Sequence, residues 1–196
     1  MRENNHIQRD GFSLVELIIT IAVMAILIGI LSLSVSLMNS ADTRGLANGI
    51  NDSLTDLKSL TESHEGPYYL HIYKKDSGFY ANFGDTVDFT VPDDPGDDER
   101  LGKATMKVEL EDSVTTTTPK VDGDGNPVLG SDGTQEVEST TTTTKRELEE
   151  DQVTTIKIKK KDGSYEIAPS AFSVTREGNA DYKVILAKDT GIHYVE

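Results

Sequence analysis

The sequence predicts an α+β protein in which one long N-terminal helix packs on an antiparallel β-sheet head. Three observations predict this fold: an apolar run from Phe12 to Met38, a Leu and Ile repeat at helical spacing from Leu46 to Leu60, and short alternating segments after Pro67. A helix followed by consecutive short strands is typical of α+β domains. The length of 196 residues suits one domain with an appendage.

The first element is the apolar run at residues 12–38, whose only formal charge is Glu16. As an α-helix it would span about 40 Å, which exceeds the hydrocarbon core of a bilayer, about 30 Å thick. A cleaved secretory signal has an apolar stretch of only about 7–15 residues, so the run is too long for one. The run therefore predicts a transmembrane segment.

Glu16 is the residue that a plain membrane anchor leaves unexplained. An acidic side chain inside the apolar layer costs roughly 2.5–3.5 kcal/mol on the insertion scale. Such a carboxylate is tolerated when a cation pairs with it. We therefore expect Glu16 to have a cationic partner.

The helix is predicted to continue through an amphipathic half at residues 39–65, giving one element from Phe12 to about His64. Apolar side chains recur along one helical face there, at Leu46, Ile50, Leu54, Leu57 and Leu60. The pair Gly66-Pro67 supplies a stop signal. A second interpretation also stays open, in which a separate anchor and a short soluble helix are joined by a loop at Asn39–Gly45.

The head, residues 66–196, shows period-two patterns and turn residues. Tyr68–Tyr73 and Phe79–Phe83 flank the turn Lys75–Gly78 and predict a β-hairpin. Further strands are expected at Thr86–Val91, Ala104–Glu111, Val153–Lys160, Tyr165–Ile167, Phe172–Thr175, Lys183–Ala187 and Ile192–Val195.

An acidic excursion at about residues 112–150 contains two threonine runs, Thr115–Thr118 and Thr140–Thr144. Threonine is β-branched and pairs well across strands, so we favour a long, solvent-exposed hairpin arm. A disordered insert is a second interpretation, because neither run has an apolar face to bury. Glycosylated threonine is a third.

Charge argues against a surface built for nucleic acid. The formal net charge is -15, and residues 85–150 hold 18 acidic and 6 basic side chains. Such a balance disfavours binding along phosphates over the whole surface. The small basic patch Lys157–Lys161 could contact DNA weakly or pair with a neighbouring acidic head, although an exposed strand face explains it more simply.

No pattern in the chain points to catalysis. Cysteine is absent, which removes thiolate nucleophiles, disulfides and Cys-based zinc sites. The histidines His6, His64, His71 and His193 lie in unrelated contexts, without a zinc-protease, phosphate-loop or nucleophile-elbow motif. We therefore predict that the protein is not an enzyme, and we expect His71 and His193 to be strand residues facing solvent or a sheet edge.

The segment Asp122–Asn126 is a weak candidate for calcium. Asp122, Asp124 and Asn126 alternate as ligands do at the opening of a calcium loop. The match then fails, because Pro127 stands where such loops need Gly and Gly133 stands where they need Glu. An Asx and Gly turn at a hairpin tip is the favoured interpretation, and no cofactor is expected otherwise.

The string Gly11-Phe12-Ser13-Leu14-Val15-Glu16-Leu17-Ile18 resembles the prepilin cleavage motif of type IV pilins and pilin-like pseudopilins. The resemblance is close from Gly11 to about Met38, and beyond Pro67 it extends only to a compatible fold. It implies that residues 1–11 form a leader, that prepilin peptidase cuts between Gly11 and Phe12, and that the new Phe12 amine is methylated.

The resemblance also implies a structural function, as a subunit of a type IV pilus or pilin-like filament assembled through its N-terminal helix. Glu16 would pair with the Phe12 amine of a neighbouring copy and set the register. Implied partners are other subunits, prepilin peptidase, an assembly platform and the membrane. The precursor would lie in the cytoplasmic membrane and the product in a cell-surface filament. The absent cysteines and acidic, Thr-rich head agree with a Gram-positive bacterium.

Two other functions share these sequence features. The first is a pseudopilin of a type II secretion machine or of a competence machine for DNA uptake. The second is an unprocessed, membrane-anchored adhesion or binding protein, which would keep Met1 as its first residue.

Overall fold

The computed structural model describes residues 13–176 and 181–196, without the side chains of residues 31–37 and 39. The chain divides into two compact units, Met1–Asn39 and Ser40–Glu196. Its elements are the helix α1 (Leu14–Ser63) and the strands β1 (Tyr69–Lys75), β2 (Gly78–Gly84), β3 (Glu99–Lys103), β4 (Lys107–Pro119), β5 (Val137–Glu147), β6 (Val153–Ile158), β7 (Tyr165–Ile167), β8 (Ala171–Thr175), β9 (Tyr182–Ala187) and β10 (Ile192–Val195).

Helix α1 is continuous from Leu14 to Ser63, as the single-helix prediction required. The alternative loop at Asn39–Gly45 is wrong, because these residues are helical. Helix formation persists through Gly49 because its missing side chain lets the helix approach Leu101 of β3, with the nearest atoms 3.5 Å from the position of a Cβ. Close packing therefore offsets the low helix propensity of glycine.

In the described part of the chain, no helix combines the length and the hydropathy that crossing a membrane requires. The predicted transmembrane segment at residues 12–38 includes Phe12 and the side chains of residues 31–37, which lie outside the described residues. The segment therefore stays a prediction.

The head contains two five-stranded antiparallel sheets, not the single sheet that was predicted. Sheet A has the order β3-β2-β1-β6-β7, and sheet B has the order β10-β9-β8-β4-β5. The predicted hairpin is β1 and β2, which pair from Tyr69 with Gly84 to Lys75 with Gly78. One strand prediction is wrong, because Thr86–Val91 is not a strand. The strand expected at Ala104–Glu111 begins later, at Lys107, and continues to Pro119.

One hydrophobic core joins the second half of α1 with both sheets. The helix contributes the predicted face, with Leu46, Ile50, Leu54 and Leu57 fully buried and Leu60 half-buried. Sheets A and B contribute the apolar residues of alternate strand positions, which are Leu70, Ile72, Phe79, Ala81, Ile156, Ile158, Val108, Leu110, Phe172, Val174, Val184 and Leu186. Burying each such side chain contributes about 1.5–3 kcal/mol.

The other face of sheet A is covered by the acidic segment 85–98. Phe89 of that segment stacks on His71 at 4.6 Å between ring centroids, and Asp98 accepts a hydrogen bond from the Tyr73 hydroxyl at 2.6 Å. His71 is therefore 1% exposed. The expectation that His71 faces solvent or a sheet edge is wrong, because β1 is the central strand of its sheet and both of its faces are covered.

The two threonine runs form the hairpin arm that the sequence favoured. Strands β4 and β5 pair from Glu109 with Glu147 to Pro119 with Val137. Beyond Asp112, β4 has no second neighbour among the described strands, so the arm is a two-stranded ribbon. Hydroxyls bond across it, as between Thr115 and Thr141 at 3.0 Å.

Candidate processing and assembly site

The site begins where α1 begins, at a capped helix end. The Ser13 hydroxyl accepts a hydrogen bond from the Val15 backbone N–H at 3.2 Å, and the Ser13 carbonyl accepts one from the Leu17 N–H at 3.1 Å. A serine in this position satisfies an amide that would otherwise lack a partner. The residues just before it, Gly11 and Phe12, are the predicted cleavage and methylation site and lie outside the described residues.

Glu16 lies in the first turn of α1, three residues after the capping Ser13. An acid there is stabilised by the positive end of the helix dipole, and Ser-x-x-Glu is the spacing of a capping box. The side chain is exposed, and within residues 13–176 and 181–196 no Lys or Arg forms an ion pair with it. Its own helix end thus accommodates the charge and leaves the carboxylate open to a further cation.

The first half of α1 exposes apolar side chains around its whole circumference. From Leu14 to Ile30 its large apolar residues are between 49% and 74% exposed. A polar side chain in this segment, Thr20, turns its hydroxyl back to the Glu16 carbonyl at 2.7 Å. An apolar surface of this extent marks a site of contact with protein or lipid.

A family model for the prokaryotic N-terminal methylation motif matches residues 8–32. The chain carries the type IV pilin-type prepilin motif. This motif includes Gly11, Phe12 and Glu16, whose individual roles stay predictions. Comparison with curated proteins gave no match, and comparison with solved structures gave none. The motif therefore supports a pilin-like protein.

Outside the prepilin motif, the basic patch Lys157–Lys161 borders a surface cleft of about 350 Å³ beside Gly66 and Pro67. Two of its lysines are already engaged, since Lys157 pairs with Glu166 at 2.9 Å and Lys160 donates to the His64 carbonyl at 2.5 Å. Ion pairing with Glu166 raises the pKa of Lys157. Much of the patch therefore holds the end of α1 and strand β7 in place.

The calcium candidates form the turn that the sequence favoured. Asp122 Oδ1 accepts hydrogen bonds from the backbone N–H groups of Asp124 at 3.0 Å and Asn126 at 2.9 Å, which lower the pKa of Asp122. The carboxylate is thus occupied in an Asx turn at the arm. Among the described residues no cluster of three His, Asp or Glu side chains is arranged to hold a metal, and calcium binding stays an untested expectation.

Sequence reasoning missed a charge cluster on the outer face of sheet B. Glu111 of β4 is only 6% exposed and contacts Lys145 of β5 at 2.9 Å, Lys183 of β9, and the Ser173 hydroxyl at 3.1 Å. The bond from Lys183 is the main cause that lowers the pKa of Glu111 to about 2. Only the order of the strands in sheet B brings these residues together, because they are far apart in the chain.

His193 lies on β10, an edge strand of sheet B as expected, and its ring turns toward α1 instead of solvent. Its Nε2 lies 3.0 Å from the Thr55 hydroxyl, and its Nδ1 lies 2.8 Å from the Tyr165 hydroxyl. Burial lowers the pKa of His193. The ring therefore joins the helix to both sheets as a structural contact.

Proposed function

We propose that the protein is a structural subunit of a type IV pilus or pilin-like filament, cut by prepilin peptidase after Gly11 and methylated at Phe12. The match of the prepilin motif to residues 8–32 carries this proposal. The folded head gives the filament its surface. The precursor resides in the cytoplasmic membrane through residues 12–38 before assembly.

The exposed apolar half of α1 supports assembly through the helix. Among the described residues from Leu14 to Ile30, the large apolar side chains are about half to three quarters exposed, a surface suited to cover by other copies or by lipid. In the membrane, lipid surrounds them; in the filament, the same segments pack against each other. The partners in this proposal are further subunits, prepilin peptidase and an assembly platform.

In this proposal, Glu16 sets the register between the helices of neighbouring subunits. Cleavage creates an amino group at Phe12, and a staggered neighbour places that cation against the Glu16 carboxylate. Breaking a buried pair by removing one partner costs about 3–5 kcal/mol, because the other charge is left uncompensated. The pair therefore disfavours shifted arrangements of the helices.

Mass spectrometry of the N-terminus tests processing directly. The mature chain is expected to begin with N-methylated Phe12, and the Gly11→Val variant is expected to keep Met1 because the peptidase no longer cuts. A mature wild-type chain that still starts at Met1, in cells containing prepilin peptidase, would refute the proposal in favour of an unprocessed anchored adhesion protein.

Assembly is tested by Glu16→Ala, with Glu62→Ala as the matched control. Both residues are exposed glutamates of α1, but Glu62 lies in the last turn of the helix. We expect Glu16→Ala to be processed yet absent from sheared filaments, and Glu62→Ala to assemble normally. Normal filaments from Glu16→Ala would contradict the pairing.

A pseudopilin is the second candidate, favoured by the same motif. In that function the chain forms a short filament of a type II secretion or competence machine. Loss of exported enzymes or of transformation in a deletion strain, without long surface filaments, would identify it. Because the head is acidic, we expect direct DNA binding in this function only at Lys157–Lys161. A Gram-positive source stays a prediction from composition.

A further inference from the structure

The outer edge of β5 is an unprotected strand edge. β5 is the last strand of sheet B, and its residues are exposed from Val137 to Arg146. Natural sheets usually protect such an edge with charges, Pro, bulges or a covering segment. The middle of β5, Ser139–Thr144, has none of these, and a two-stranded ribbon alone is only marginally stable in water. This edge is therefore open to a further strand.

Backbone hydrogen bonds show which residues face such a strand. Lys120 N–H donates to the Glu136 carbonyl at 2.9 Å, and Leu148 N–H donates to the Val108 carbonyl at 2.8 Å. Even-numbered residues of β5 therefore turn their backbone groups toward β4. The odd-numbered residues from Val137 to Glu147 turn theirs outward, where they are available to another strand.

We propose that this further strand is β5 of a second copy, paired antiparallel about a two-fold axis through Thr142. Thr142 is the middle residue of β5, so this register pairs the whole strand with itself and brings the outward backbone groups of both copies together. Threonine faces threonine along the centre, and cross-strand threonine pairs are favourable.

Charge complementarity selects this register. With Thr142 opposite Thr142, Glu138 lies opposite Arg146 at both ends of the contact. These are non-hydrogen-bonded pairs, in which the side chains are closest. Within the described residues Glu138 forms no ion pair, and Arg146 makes only a 3.5 Å contact to Gln152. Both charges are thus free to pair across the interface.

A two-fold contact closes on itself and does not propagate a helix. In the filaments proposed above, it therefore joins the arms of neighbouring filaments instead of successive subunits of one filament. The pairing itself does not depend on processing or on filament formation. Its test can therefore fail while the proposed function stands.

The native chain has no cysteine, so single substitutions report the register. Full-length chain in non-ionic detergent is oxidised mildly and separated without reductant. Thr142→Cys is expected to give a disulfide-linked dimer, because paired Cα atoms about 4.5 Å apart suit a disulfide. Thr140→Cys and Thr144→Cys are matched controls. In each single variant the two equivalent cysteines of the paired copies lie about 13 Å apart, so the variant is expected to stay monomeric. A mixture of the two variants is expected to crosslink, because Thr140 lies opposite Thr144 of the second copy.

Charge variants in the Thr142→Cys background give an independent readout. Glu138→Arg and Arg146→Glu are each expected to lower the dimer yield several-fold, and the double swap is expected to restore it. The proposal is overturned if Thr142→Cys stays monomeric, which would assign the edge to a different occupant, or if all three single cysteine variants crosslink equally.

Discussion

The pH dependence of stability gives the sharpest test of the charge cluster around Glu111. Replacing Glu111 by Gln keeps the size of the side chain and its polarity but removes the negative charge. Lys183 and Lys145 then lose the carboxylate that they contact in the folded protein. We expect the variant to be less stable at neutral pH and nearly as stable as the wild type in strong acid.

The magnitude follows from the pKa of this carboxyl group. Contact with Lys183 and Lys145 lowers the pKa of Glu111 from 4.5 to about 2 in the folded state. Each pKa unit corresponds to about 1.4 kcal/mol, so the charged form contributes about 3 kcal/mol. Because the folded pKa is the lower one, this stability is present above pH 4.5 and is lost as the pH falls toward 2.

Urea unfolding of the full-length chain in detergent, followed by circular dichroism at several pH values, measures this contribution. The free energy difference between wild type and Glu111→Gln should be about 3 kcal/mol at pH 7 and should vanish by about pH 2. Glu62→Gln, an exposed acid of α1, is the control and should differ from wild type by less than about 0.5 kcal/mol throughout. A difference for Glu111→Gln that stays constant with pH would refute the reasoning.

Three further predictions use the same unfolding assay. Burial lowers the pKa of His193, so its neutral form stabilises the fold above about pH 6.5. His193→Gln should therefore remove part of the stability that the wild type loses on acidification below that pH. An unchanged dependence of the unfolding free energy on pH would contradict this. Leu54→Ala should cost about 2–5 kcal/mol because Leu54 is fully buried, whereas the exposed Leu129→Ala should cost little. Gly102→Ala should cost about 1–3 kcal/mol, because its new methyl would lie 3.0 Å from the Cβ of the buried Leu46 on α1. Gly123→Ala, with open space around it, should be near neutral. Equal effects of the two substitutions would contradict the packing.

The sequence was informative where a pattern is local. The apolar run and the Leu and Ile repeat predicted one helix, and α1 spans Leu14–Ser63. The threonine runs predicted the arm, because β-branched residues on both sides of a turn-rich segment favour a hairpin. The prepilin motif was likewise recognisable in a short string from Gly11, and the family model confirms it.

Features that depend on distant contacts were not predictable. The segment at Thr86–Val91 has the composition of a strand, yet Phe89 is used to cover His71 and Tyr73 instead of pairing along a sheet edge. Strand β3 was missed because Glu99–Lys103 has little β propensity, and pairing with β2 determines its conformation. The division of the head into two sheets follows from crossovers, such as β1 to β6, that no local pattern encodes.

The threonine arm also defines where this protein tolerates remodelling. None of the side chains between Val114 and Arg146 is buried, so the core is complete without them. Loop tips of this kind are where grafted sequences succeed most often. A foreign epitope inserted at Gly125 would be presented at the end of a projecting ribbon, and a filament built from such subunits would become a repetitive display scaffold.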